Sequence, residues 1–178
     1  IAPKTVSYTD LCISQNRDME YSADADITVI AVPVYGGRIP KELHDFFGRL
    51  SGNGKPAVII TVYGSVGRGV ALEELDFLVR RRGFCVVARG TFIGEHSFSS
   101  GELPLASGRP DGKDLETARL FGRIIRYKVE MEDSPSDAAV VKRGICGMIA
   151  GAAAAFLLAA LPQRSHVIFT RRPDPDMT

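Results

Sequence analysis

Apolar residues along this chain follow two rhythms. In residues 26–34, 56–63 and 84–92 they run almost without interruption and are rich in Val and Ile, the pattern of strands covered on both faces. Residues 4–10 alternate weakly and read as a further short strand. Between these runs the spacing changes. Leu43, Phe46, Phe47 and Leu50 recur at i, i+3, i+4 and i+7 and predict a helix over 41–50, ended by Ser51-Gly52-Asn53-Gly54. Leu72, Leu75, Leu78 and Val79 predict a helix over 70–82 with Gly83 as its stop. Leu115, Ala118, Phe121 and Ile125 predict another over 113–132, capped by Asp111.

Strands and helices in alternation, with the strands buried on both faces, predict an α/β fold: a doubly wound parallel sheet in three layers. Such sheets bind ligands beyond the carboxyl ends of their strands. Two loops at those ends carry more than a turn requires. Residues 33–40 read Pro-Val-Tyr-Gly-Gly-Arg-Ile-Pro, and residues 64–69 read Gly-Ser-Val-Gly-Arg-Gly. Gly36 and Gly37 would let the backbone approach a ligand with amide hydrogens free to donate. Tyr35 and Tyr63 sit where an aromatic face can stack on a flat ring. On composition alone the same loops also read as plain connections between strand and helix.

The chain's 178 residues fit one domain over 1–132 and a linker with a tail over 133–178. Hydrophobic residues make up 45% and charged residues 24%, the balance of a soluble globular protein. A net charge of +1 provides no global field to recruit nucleic acid. The run Arg80-Arg81-Arg82 reads instead as the solvated end of a helix. Cys12, Cys85 and Cys146 lie far apart with no CxxC spacing. No zinc or iron–sulfur site is expected from them, and a reducing, cytoplasmic compartment is. Cys85, inside Phe84-Cys85-Val86-Val87, is expected to be buried. The opening Ile-Ala-Pro-Lys has neither a signal-peptide pattern nor a methionine, as in a trimmed chain. Residues 144–161 hold no charge, seven alanines and three glycines. Their length is at the lower limit of a membrane span, but their weak hydropathy favours a helix packed on the domain or a partner over membrane association.

Four blocks, VPVYGGRIPKEL, PAVIITVYGS, FIGEHSFS and GRPDGKDLETA, stand in the order and spacing of a known family. Residues 26–130 resemble the flavodoxin-like domain of bacterial flavodoxin–ferredoxin fusion proteins, in which an FMN-binding domain precedes a two-cluster iron–sulfur module. The resemblance implies FMN as cofactor, electron transport as role, and a redox partner protein or fused ferredoxin module as partner. It implies that Pro33, Val34, Tyr35, Gly36, Gly37 and Arg38 flank the isoalloxazine ring from one side, and Tyr63, Gly64 and Ser65 from the other. Val66 and Gly67 continue the second loop. His96, beside Glu95, admits an acid–base reading, but in a domain whose chemistry belongs to its flavin a structural hydrogen-bonder or a ring contact is expected.

Three departures from the family matter. Its opening strand and Ser/Thr/Gly-rich phosphate loop have no counterpart before Asp26, so residues 4–10 correspond to the second strand and the first is expected to be missing. Ser65, Val66 and Arg68 stand where the family has an Asn, an Arg and a further Tyr. The Cys-rich module is not within these residues, although Arg172-Pro173-Asp174-Pro175-Asp176 resembles the linker into it; 4Fe-4S clusters are expected only in a module beyond Thr178. The expectation is therefore an empty lane between residues 4–10 and 26–34, pairing or aggregation through that open edge, and weak or no FMN binding. Two alternatives accompany this reading: a flavin-free docking domain, and a flavin-dependent reductase with its own small substrate.

Overall fold

The computed structural model describes residues 5–65, 67–132, 149–150 and 164–169. Thr5–Asp10 forms β1, Ser14–Arg17 the single turn α1, Tyr21–Ser22 β2 and Ile27–Pro33 β3. A 3-10 turn, Lys41–Leu43, leads into α2, His44–Gly48. Then come β4 (Leu50–Ser51), β5 (Pro56–Tyr63), α3 (Ala71–Arg81), β6 (Cys85–Ile93) and α4 (Gly112–Glu132). Strands β7 (Ile149–Ala150) and β8 (Arg164–Phe169) complete the described elements.

Six strands form one sheet in the order β1-β8-β3-β5-β6-β7, every pair parallel. Because side chains alternate along a strand, β3 and β5 feed two cores. Ile30, Val32, Ala57 and Ile59 face α2 and α3, meeting Phe46, Phe47, Leu72, Leu75 and Val79. Ile27, Val29, Ala31, Val58 and Ile60 face α4, meeting Ala118, Phe121, Ile125 and Val129. Phe46 and Phe47 are fully buried, which stabilises that layer by roughly 2–3 kcal/mol for each ring. The sheet is doubly wound, as the two rhythms of the sequence predict.

The lane between the first strand and β3 is not empty, which corrects the expectation of a missing strand. Arg164–Phe169, six residues assigned from sequence to the tail, lies in it as β8. Its backbone pairs with β1 from Thr5↔Arg164 to Asp10↔Phe169 and with β3 from Ile27↔Ser165 to Ala31↔Phe169. In the flavodoxin-like order that lane belongs to the first strand, and here a strand from late in the sequence occupies it. The backbone groups of β1 and β3 facing the lane are thereby paired, so the open edge between them, and the self-pairing expected through it, have no basis.

Other differences are local. The helix expected over 41–50 is broken because Leu50 leaves it to enter β4, which pairs with β2. Its four apolar residues are nevertheless all buried. Cys85 is exposed, not buried: alternation turns Phe84 inward and its neighbour outward. The arginine run does close α3, with Arg80 bonded to Asp76 at 3.0 Å and Arg81 over the Phe77 ring. Asp111 caps α4, its carboxylate accepting from the amides of Lys113 (2.8 Å) and Asp114 (3.0 Å). Of the apolar run 144–161, Ile149–Ala150 is described, as a short strand beside Gly90 and Thr91; the helix expected over the run otherwise lies outside the described residues. Among the described residues no helix is long and apolar enough to cross a membrane.

Candidate functional site

The parallel register brings the sequence blocks to one end of the sheet. Pro33 pairs with Val62, Val62 with Phe92 and Tyr63 with Ile93. Beyond them the Val34 amide donates to the Val62 carbonyl at 2.8 Å and the Gly94 amide to the Tyr63 carbonyl at 2.9 Å. The loops after β3, β5 and β6 therefore leave the sheet from one row.

The first loop folds back on itself. Tyr35 and Arg38 exchange backbone hydrogen bonds of 2.8 and 3.1 Å, with φ +57° at Gly36 and +79° at Gly37. Left-handed backbone at both central positions defines a type I′ turn, which only glycine adopts without strain. Tyr35 is 57% exposed. Gly37 is also a packing point: its carbonyl accepts from the Val70 amide at 2.8 Å, and a Cβ on Gly69 would stand 2.1 Å from that oxygen. The two glycine-rich loops thus touch backbone to backbone. Arg38 is held by Glu74 of α3 at 3.0 Å, and the Ile39 amide donates to the same carboxylate at 3.2 Å. Among the described residues the Gly36 and Gly37 amides meet no acceptor, and the space beside Gly36 is open.

In the second loop Tyr63 is half-buried at the strand end. Ser65 follows with φ +67°, a left-handed conformation that costs a side-chain-bearing residue roughly 1 kcal/mol. Gly67 is positive as well, at +114°, and Val66 lies outside the described residues. Gly64 packs on the third loop, where an added Cβ would come within 2.6 Å of the His96 Cα.

That third loop, long and polar, is closed by its own groups. The Glu95 amide bonds the Arg109 carbonyl at 2.9 Å, and the His96 amide the Leu105 carbonyl at 3.1 Å. The Ser99 hydroxyl oxygen accepts from the Leu105 amide and that of Ser100 from the Leu103 amide. His96 is half-buried, and its Nδ1 accepts from the Phe98 amide at 3.0 Å. Phe98 itself is 77% exposed, its ring 5.4 Å from the imidazole. Where the loop enters α4, Arg109 forms a two-pronged pair with Asp114, a carboxylate only 4% exposed. The Arg109 hydrogen bonds hold the Asp114 carboxyl below its ordinary range against the opposing effect of burial. The same bonds raise the Arg109 guanidinium, helped by the charges of Asp114 and Asp111.

The structure thus brings Val34–Arg38, Tyr63–Ser65, Gly67 and His96 to one end of the sheet, with Pro33 at the end of β3. It engages Gly37 in packing and Arg38 in an ion pair. Sequence reading missed Gly69, Glu74, Phe98 and the Arg109–Asp114 clamp. Gly69 was visible there as the last glycine of its loop, and Phe98, Arg109 and Asp114 lay inside the blocks FIGEHSFS and GRPDGKDLETA without a role read for them. Among the described residues no cluster of His, Cys, Asp or Glu could hold a metal ion.

The site thus offers open space beside Gly36, the amides of Gly36 and Gly37, and a half-buried Tyr63, groups that could hold the edge and face of a flat ring. At the carboxyl end of β1 the Asp10 carboxylate accepts from the Cys12 amide, and from α1, a single turn, Asn16 donates to the Asp10 carbonyl at 2.8 Å and Arg17 to the Leu11 carbonyl at 2.7 Å. Comparison of the chain with protein families, with characterised proteins and with solved structures yields no match.

Proposed function

We propose that the chain is an FMN-binding, flavodoxin-like electron-transfer domain that works with a redox partner protein or a fused ferredoxin module in a reducing compartment. The observation that carries this reading is the convergence of three loops on one row of strand ends, with a left-handed Ser65 at its middle. In this reading Tyr63 supplies a wall for the ring, the Gly36 and Gly37 amides donate to its polar edge, and the Arg109–Asp114 clamp fixes the third loop. FMN, when bound, would supply the electron transfer itself.

The packing of Gly37 against Gly69 favours a second reading, a flavin-free docking domain, because it accounts for part of the glycine content without a ligand. Visible absorbance and fluorescence titration with FMN separate the two. Retained yellow colour, or saturable quenching of added FMN, supports the proposal; a colourless chain that quenches no flavin rejects it. Tyr63→Ala is expected to weaken flavin binding by about 1–3 kcal/mol while leaving the fold intact.

A further inference from the structure

An imidazole whose Nδ1 accepts from a backbone amide has its tautomer decided for it. The amide hydrogen cannot be turned away as a hydroxyl can, so Nδ1 must be the unprotonated nitrogen and the proton of the neutral ring sits on Nε2. His96 is in this situation, with the Phe98 amide donating to Nδ1 at 3.0 Å. Its ring is further fixed by Gly64, where an added Cβ would come within 2.9 Å of the His96 Cδ2. Cδ2 is bonded to Nε2, so the edge of the imidazole that carries Nε2, and not the one that carries Nδ1, is the edge packed toward Gly64 at the end of β5. Among the described residues Nε2 has no partner.

We infer that His96 is a dedicated hydrogen-bond donor in the site. Through Nε2–H it recognises an acceptor on the edge of the flat ligand, a carbonyl oxygen or an unprotonated ring nitrogen. This rests on the flavin reading above and narrows it: His96 selects ring systems with an acceptor edge and discriminates against those that present a donor there. It also gives Gly64 a purpose, because any larger residue would push the imidazole from the strand end.

Two substitutions divide the two nitrogens. Asparagine places an acceptor where Nδ1 stood, so His96→Asn keeps the turn at Phe98 and removes the Nε2 donor. Glutamine reaches the Nε2 position with an amide donor, so His96→Gln keeps the donor and loses the turn. Riboflavin titration of the whole chain by fluorescence quenching is expected to show His96→Asn about tenfold weaker, the size of one lost hydrogen bond. His96→Gln should stay within about threefold of the parent. Independently of any flavin, long-range proton–nitrogen spectra of the unsubstituted chain at pH 8 should show the His96 proton on Nε2. A proton on Nδ1 overturns the inference whatever the variants do. Riboflavin binding that His96→Asn leaves unchanged overturns it and spares the flavin reading. No riboflavin binding by the unsubstituted chain rejects the flavin reading, and this inference falls with it.

Discussion

The β3–β5–β6 side of the sheet and the β1–β8 flank are built from the same parallel ladder, yet they depend on the chain differently. In the first, β3, β5 and β6 follow one another across the sheet, joined by α2 and α3 packed on one face, with α4 covering the other. In the second, β1 is held in the sheet through β8, a strand more than 150 residues further along the chain. The consecutive side presents the candidate site. Among the described residues, the loops gathered there follow β3, β5 and β6. Disturbing each of the two regions should have a different signature.

The largest effect is expected at Val167, whose backbone pairs with Tyr8 on one side and Val29 on the other. Proline there removes a ladder hydrogen bond in the middle of the sheet, at a cost of about 3 kcal/mol or more. Val167→Pro should abolish or broaden the cooperative thermal transition followed by circular dichroism. An unchanged melt would mean that β8 contributes little to the fold.

Gly69→Ala should follow at about 3 kcal/mol, since its Cβ would overlap the Gly37 carbonyl and its backbone is left-handed. Gly36→Ala, with open space around it, should cost only about 1 kcal/mol, for the backbone conformation alone. Denaturant unfolding of the pair measures how much of the glycine content serves packing between loops. Equal losses would remove the backbone contact from the account.

Asp114→Asn should destabilise by about 2 kcal/mol at neutral pH, by weakening the Arg109 bonds at the root of the third loop. The sign of its pH dependence follows from the lowered carboxyl. Stability is in place above about pH 4 and is lost as pH falls through the lower folded value. The gap between the parent and Asp114→Asn should therefore close on acidification; a gap that persists to about pH 2 would assign the loss to packing.

The same contrast governs how much could be read beforehand. Periodicity revealed β3, β5, β6, α3 and α4 because each fills its own stretch of two cores, and Pro56–Tyr63 emerged with its bounds intact. The loops were legible as unusual because Gly36 and Gly37 mark left-handed backbone and Gly64 a place where a side chain would be obstructed. What the pattern could not show was β8. Val167-Ile168-Phe169 is too short an apolar run to declare a central strand, and its lane is set by partners far away in sequence. The Arg109–Asp114 clamp was equally hidden, since two charges near a helix start read as solvated until the fold buries one of them.

The most direct test of the central claim uses the flavin ring without its phosphate. Riboflavin added to the nitrogen-15-labelled chain should shift amide resonances at Val34–Arg38, Gly64, Ser65, Gly67 and Gly94–Phe98, while those of Thr5–Asp10 and Arg164–Phe169 stay in place. Shifts confined to the β1–β8 flank, or no shifts at saturating riboflavin, would contradict it.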